Sequence, residues 1–265
     1  MTTTMLFILS PAKSLDYETP LPPAVAKRAT EPLFPERAAE LIDVMRKKRP
    51  AQVSKLMDIS PALAELNVAR YAAWQPGATA ANSRPALLAF DGDVYGGLQA
   101  RTLKAADIAW AQQHVVMLSG LYGALRPLDR LQPYRLEMGT ALKTKRGKDL
   151  YAYWGDTIAA HLNERLAGAP DPVVVNLASI EYARAALRPA LQARVIDCVF
   201  EDWKGDGYRI ISFFAKRARG LMARWAIQQR VRTPAALPGF AADGYAFDAA
   251  QSAPERLVFR RRLPQ

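Results

Sequence analysis

Met5-Leu6-Phe7-Ile8-Leu9 runs without a polar residue and passes directly into Ser10-Pro11-Ala12-Lys13. Five consecutive apolar residues without alternation read as a strand covered on both faces. A polar loop at the carboxyl end of such a strand lies where α/β proteins hold ligands. The arrangement recurs. Ala86–Phe90 precedes Asp91-Gly92-Asp93-Val94-Tyr95-Gly96-Gly97-Leu98, and Val115–Leu118 precedes Ser119-Gly120-Leu121-Tyr122-Gly123. Further strands are expected at Val173–Leu177, Val195–Phe200, Tyr208–Phe213, Tyr245–Phe247 and Leu257–Phe259. Lys204-Gly205-Asp206-Gly207 supplies turn residues for a hairpin between two of them.

Helical periodicity fills the intervals. In Glu36–Lys48, Ala38, Leu41, Ile42 and Met45 form an apolar stripe. Ser60-Pro61 predicts an N-cap followed by proline at the first helical position, opening a helix to about Trp74. Asp107–His114, Tyr151–Ala167 and Ala215–Val231 follow, the last stopped by Pro234. These elements predict an α/β (mixed α+β) fold: one compact domain over residues 1–265, with a mixed sheet and flanking helices. Neither glycine-rich nucleotide-binding motif, Gly-x-Gly-x-x-Gly or Gly-x-x-x-x-Gly-Lys-Ser/Thr, is present.

The chain of 265 residues carries a net charge of +11, which favours a polyanionic partner: nucleic acid, an acidic membrane surface or a phosphorylated small molecule. The excess is +1 over residues 1–100, +4 over 101–170 and +6 over 171–265, so an anion site should draw mainly on the later segments. Cys198 is the single cysteine, which excludes an internal disulfide, and it sits in an apolar run as a small hydrophobe. His114 and His161 are far apart on different helices, so no His/Cys metal site or Cys-His nucleophile pair is expected. No stretch approaches the ~20 apolar residues of a membrane span, and the start shows no secretory pattern. A cytoplasmic, soluble protein without metal or cofactor is the expectation.

Lys13 suits phosphate contact or amine nucleophilic chemistry, with Asp16 and Tyr17 just after it. The segment from Leu118 to Gly139 holds Arg126, Asp129, Arg135 and Glu137 without helical or strand periodicity. Its arginines suit bidentate oxyanion recognition, and Asp129 or Glu137 suits acid–base work. The same residues could instead pair with one another as a loop scaffold. Lys143, Lys145, Arg146 and Lys148 form a basic cluster around Gly147. In Ala215–Val231, Lys216, Arg217 and Arg219 stand without an acid, and Gly220 among them would let a ligand backbone come close. Val53–Arg70, with Lys55, reads as helix, short turn, helix. It is either a helix–hairpin–helix-like element or an ordinary core hairpin, and the glycines expected of the former are missing.

Together these pieces resemble the YaaA family of bacterial peroxide-stress proteins. The matching stretches are Leu9-Ser10-Pro11-Ala12-Lys13-Ser14-Leu15-Asp16-Tyr17, Ala89 through Tyr95, Leu118 through Gly139, Arg146 through Tyr151, Asn176-Leu177-Ala178-Ser179 with Glu181-Tyr182, and Ile211 through Arg224. They run in order over nearly the whole chain. The resemblance implies a bacterial cytoplasmic protein that limits oxidative damage, with a positively charged cleft and a helix–hairpin–helix-like element. It also implies binding to duplex or structured DNA in a protection or repair setting. The family carries a link to iron, for which this sequence offers no ligand set. On this expectation Lys13, Lys55, Arg126, Arg135, Lys143, Lys145, Arg146, Lys148, Lys216, Arg217 and Arg219 contact DNA. The alternative is an enzyme on nucleic acid or nucleotide, with Lys13 as nucleophile and Glu137 or Asp129 as acid or base. Both readings require Lys13, Arg126, Glu137 and Lys216 to converge on one concave surface.

Overall fold

The fold was obtained as a computed structural model, which describes residues 4–262. The chain begins with β1 (Met5–Leu9) and the short β2 (Ser14–Leu15). A helical excursion follows: α1 (Pro23–Ala26), α2 (Pro35–Arg46), α3 (Pro50–Met57) and α4 (Pro61–Ala73). Next come β3 (Arg84–Pro85), the single turn α5 (Ala86–Ala89), β4 (Phe90–Asp91), α6 (Asp93–Leu98) and α7 (Ala105–His114). β5 (Val115–Ser119) is followed by β6 (Gly123–Leu125), β7 (Arg130–Leu131), α8 (Leu150–Trp154) and α9 (Thr157–Leu166). β8 (Val173–Leu177), α10 (Ile180–Ala186), β9 (Arg194–Lys204), β10 (Gly207–Arg209) and the long α11 (Ser212–Gln229) lead to β11 (Ala246–Phe247) and β12 (Arg256–Arg261).

Eight strands form one mixed sheet in the order β11-β12-β9-β8-β1-β5-β6, with β10 folded onto β9. The five strands β12, β9, β8, β1 and β5 are parallel, while β6, β10 and β11 pair antiparallel at the margins. Those marginal strands are only three, three and two residues long. The parallel strands extend to one side of β1 through β5 and to the other through β8, so the strand order reverses at β1. All five residues of β1 are buried, as its unbroken apolar run requires. Helices α7 and α9 both pack on it. Lys204 pairs with Gly207 across the two-residue turn Gly205-Asp206, with Gly205 at φ +65°, so the predicted hairpin is present. Among the described residues no helix is long and apolar enough to cross a membrane.

Four local expectations are corrected. Ala86–Phe90 is a helical turn running into a two-residue strand. Its apolar residues are buried all round, and Ala and Leu favour helix, so apolarity could not separate the two states. Tyr151–Ala167 is two helices, because Gly155 adopts φ +48°, ψ −127°, outside the helical region. Tyr208–Phe213 stops being strand at Arg209, and α11 starts at Ser212. Gly220 serves packing: a Cβ there would lie 1.8 Å from the Val94 carbonyl oxygen of α6. Arg224 covers the end of that same helix, donating to the carbonyls of Leu98 and Gln99. Gly220 and Arg224 are therefore taken up by the contact with α6 and are not a ligand surface.

α3 and α4 form the expected helical pair. Asp58 takes the left-handed conformation (φ +51°) at the bend. Ser54 Oγ donates to the Ile59 carbonyl at 2.6 Å, and Ser60 Oγ accepts the Leu63 N–H. Pro61 has no N–H to offer, and the Leu63 N–H is taken by the Ser60 cap.

Candidate functional site

Where the strand order reverses, a cleft of about 400 Å³ opens at the position that doubly wound sheets use for ligands. Five segments meet there. The loop after β1 supplies Ser10 to Ser14, the end of β4 and the start of α6 supply Asp91 to Tyr95, and the coil after β7 supplies Tyr134 to Glu137. The loop after β8 and the first turn of α10 supply Ser179, Glu181 and Tyr182, while α11 contributes Lys216 and Arg219.

The floor is fixed by short polar contacts. The Ser179 N–H donates to Ser10 Oγ at 2.8 Å, and the two hydroxyls are 3.3 Å apart. Tyr95 Oη donates to the Ser10 carbonyl at 3.0 Å. Tyr134 Oη and Ser119 Oγ are 2.6 Å apart. Burial pushes the phenols of Tyr95, Tyr134 and Tyr182 above their ordinary range, so they are neutral aromatic walls at physiological pH.

The lining carries as many carboxylates as cations: Asp91, Asp93, Glu137 and Glu181 against Lys13, Arg135, Lys216 and Arg219. Lys13 Nζ is 2.9 Å from Glu137 Oε2, and Arg135 donates to Glu137 Oε1 from Nε and Nη2 at 3.2 and 3.0 Å. Glu181 Oε1 accepts the Gly139 N–H at 2.8 Å. Lys216 Nζ reaches Asp93 only at 4.0 Å. Arg219 differs from all of these. It has no ion pair or side-chain hydrogen bond among the described residues, and its buried Nε has no partner. Burial lowers its pKa, the mark of a cation short of solvent and counterion.

Of the residues expected to converge, Lys13, Glu137 and Lys216 share the cleft, together with Arg135 and Arg219; Arg126 is not among its lining. Arg126 holds the fully buried Asp129 at 2.9 Å from Nε and 2.8 Å from Nη2, and Thr30 Oγ1 donates to the same carboxylate. Burial raises the Asp129 pKa, against the pull of these bonds. Asp16 caps a turn through the N–H groups of Glu18 and Thr19 and pairs with Arg101 at 2.6 Å. Burial opposes its ionisation, yet these bonds together hold its carboxyl well below the usual range. Tyr17 donates to the Leu131 carbonyl, and burial raises its phenol. Asp16, Tyr17 and Asp129 are thus engaged in structure outside the cleft lining.

Other cations divide into held and free. Arg146 grips Glu40 with two bonds of 2.8 and 2.9 Å, and Arg217 faces Asp243 at 3.7 Å. Lys55, Lys143, Lys145 and Lys148 are exposed and have no ion pair among the described residues. Lys145 lines a separate surface pocket beside α2, with Glu40, Asp43 and Lys47. Reading the residues did not single out Tyr95, Tyr134, Ser179, Glu181 or Tyr182 as site residues. α10 is seven residues long, too short to show a period, and the Ser179–Tyr182 stretch stood out only through family resemblance.

Comparison with known proteins agrees along the length of the chain. A family profile described as peroxide stress protein YaaA matches residues 5–251. A UPF0246 protein of Leptothrix cholodnii is 65% identical over 257 residues, covering 97% of this chain and 98% of its own length. Proteins of the same designation from Paracidovorax citrulli and Variovorax paradoxus are 64% and 61% identical. These alignments cover 97% and 98% of this chain, and 99% and 100% of the relatives.

Proposed function

Because the chain belongs to the family of peroxide stress proteins YaaA, we propose that it serves the peroxide response by holding DNA through the phosphate backbone. The observation that carries this reading is a set of exposed lysines left without a close carboxylate partner. Lys143, Lys145 and Lys148 are exposed without an ion pair among the described residues, and Lys216, also exposed, has only a 4.0 Å contact to Asp93. Exposed lysines suit a polyanion because they neutralise phosphates and release condensed counterions without fixed geometry. Arg126, Arg135, Arg146 and Arg217 are already bound to carboxylates, and so contribute less than their number in the sequence implies.

Lys13, the amine on which covalent chemistry would depend, is held in an ion pair by Glu137, so the reading adopted is binding rather than catalysis. With about four phosphates neutralised, log K for a short duplex should fall with log salt at a slope of about −4. A fluorescence-anisotropy titration across a range of salt concentrations measures it. Replacing Lys143, Lys145 and Lys148 by glutamine together should flatten the slope by about three-quarters of its value. A salt-independent affinity, or an unchanged slope in the triple variant, would overturn the reading.

A further inference from the structure

We propose that the cleft at the β1 switch point binds a single nucleotide, a nucleoside 5′-monophosphate either free or at the 5′ end of a strand. Its phosphate would rest on Arg219 and Lys216 and its base would face Glu137 and Glu181. This deepens the reading above and rests on it only for the strand-borne form.

The volume of about 400 Å³ is that of a small-molecule site and cannot admit a duplex. On the α11 side stand two cations three residues apart, hence on one helical face. One has only a 4.0 Å acidic contact and the other none. A guanidinium withdrawn from water without an anion is costly, and a phosphate offers the planar, charge-assisted bonds that would offset that cost. The remaining segments bring Glu181, Glu137 with its partners Lys13 and Arg135, and Asp91 and Asp93, the last 4.0 Å from Lys216. Ionised carboxylates only accept hydrogen bonds; they would repel a second phosphate and accept the amino groups of adenine, cytosine or guanine. The neutral rings of Tyr95, Tyr134 and Tyr182 complete an aromatic lining suited to one unstacked base. Two available cations and the absence of both glycine-rich nucleotide-binding motifs favour a monophosphate over a di- or triphosphate.

The test is calorimetric titration of the full chain with dAMP, dCMP, dGMP and dTMP, deoxyribose 5-phosphate and inorganic phosphate. It is paired with oligonucleotides bearing or lacking a 5′ phosphate. Saturable binding of the amino-bearing nucleotides is expected, weaker for deoxyribose 5-phosphate, with inorganic phosphate competing. R219Q should weaken it at least about tenfold and K216Q by a smaller factor, while duplex affinity in R219Q stays near wild type. If R219Q does not fold, the Arg219 Nε–H resonance of the wild-type protein must shift on adding dCMP. No saturable binding at about 10 mM nucleotide, wild-type nucleotide affinity in R219Q, or an unmoved Nε–H signal would overturn the proposal. Nucleotide binding without duplex binding would retain this inference and sink the preceding one; steep salt-dependent duplex binding without nucleotide binding would do the reverse. Preference for the 5′-phosphorylated strand over free nucleotide would identify the strand-borne form as the ligand.

Discussion

Cys198 sits on β9 at 5% exposure, and burial pushes its thiol well above the ordinary range. Peroxide oxidises the thiolate, and a buried neutral thiol is inert. This chain's single cysteine is therefore expected to resist peroxide while the protein is folded. Native protein treated with hydrogen peroxide should gain no oxygen at Cys198 by mass spectrometry, and the same treatment in urea should oxidise it. Rapid sulfenic acid formation in the folded state would refute this. The thiol's burial was legible from the apolar run around it. The partners of the charged residues were not. Arg126 and Asp129 are three residues apart, but in a stretch without helical geometry that spacing fixes nothing. Lys13 with Glu137, and Arg146 with Glu40, meet only through the tertiary fold. A loop rich in arginine and aspartate reads the same whether it faces a ligand or satisfies itself.

At the scale of elements, the crossing of α6 and α11 is made backbone to backbone. Gly97 and Gly220 lie where a Cβ would approach the Arg217 and Val94 carbonyl oxygens to 2.2 and 1.8 Å. Alanine at 220 gains about 1 kcal/mol of helix propensity. It must also push α6 away from α11, and their contact positions Asp93, Lys216 and Arg219 in the cleft. Overpacking of this kind costs about 3 kcal/mol at its upper range. G220A should therefore lower the urea midpoint despite its better propensity; a raised midpoint would show that the crossing gives way. The sequence revealed the long parallel strands because burial on both faces leaves an unbroken apolar run, and the capped helix α4 because Ser60-Pro61 has one local meaning. It concealed α6 and α10, which are too short for a period, and the turn at Ala86–Ala89, where full burial erases the difference between strand and helix. The cleft-forming loops after β1 and β4 were visible as polar breaks after apolar runs. The contribution of α10 depended on family resemblance, because nothing in its seven residues announces a site.

Across the whole molecule, the net charge of +11 coexists with a cleft of balanced charge, so the excess lies elsewhere on the protein. Inside, His161 on α9 is 9% exposed, its Nε2 has no partner, and burial together with the fields of Arg165 and Arg126 lowers its pKa to about 4. Glu164, the nearest carboxylate, stands 4.0 Å away and is mostly exposed. The unfolded chain takes up this proton near the ordinary value of 6.5, the folded one only near 4. Stability should therefore fall as pH drops through that window, by up to about 1.4 kcal/mol per unit, with no further loss from this group below it. Burial shifts His114 in the same direction and adds to the slope. Urea midpoints measured from about pH 7 to about pH 4 should decline in the wild type and decline less in H161Q. Identical profiles would remove His161 from the account.

The lengths of the outlying strands have a consequence for the company this protein keeps. β6, β10 and β11 end the hydrogen-bonded ladder after two or three residues, leaving little unsatisfied backbone on which a foreign segment could add itself. Oxidative injury fills a cell with partly unfolded polypeptides seeking such edges. A protein required at that moment gains from having borders too brief to template their aggregation.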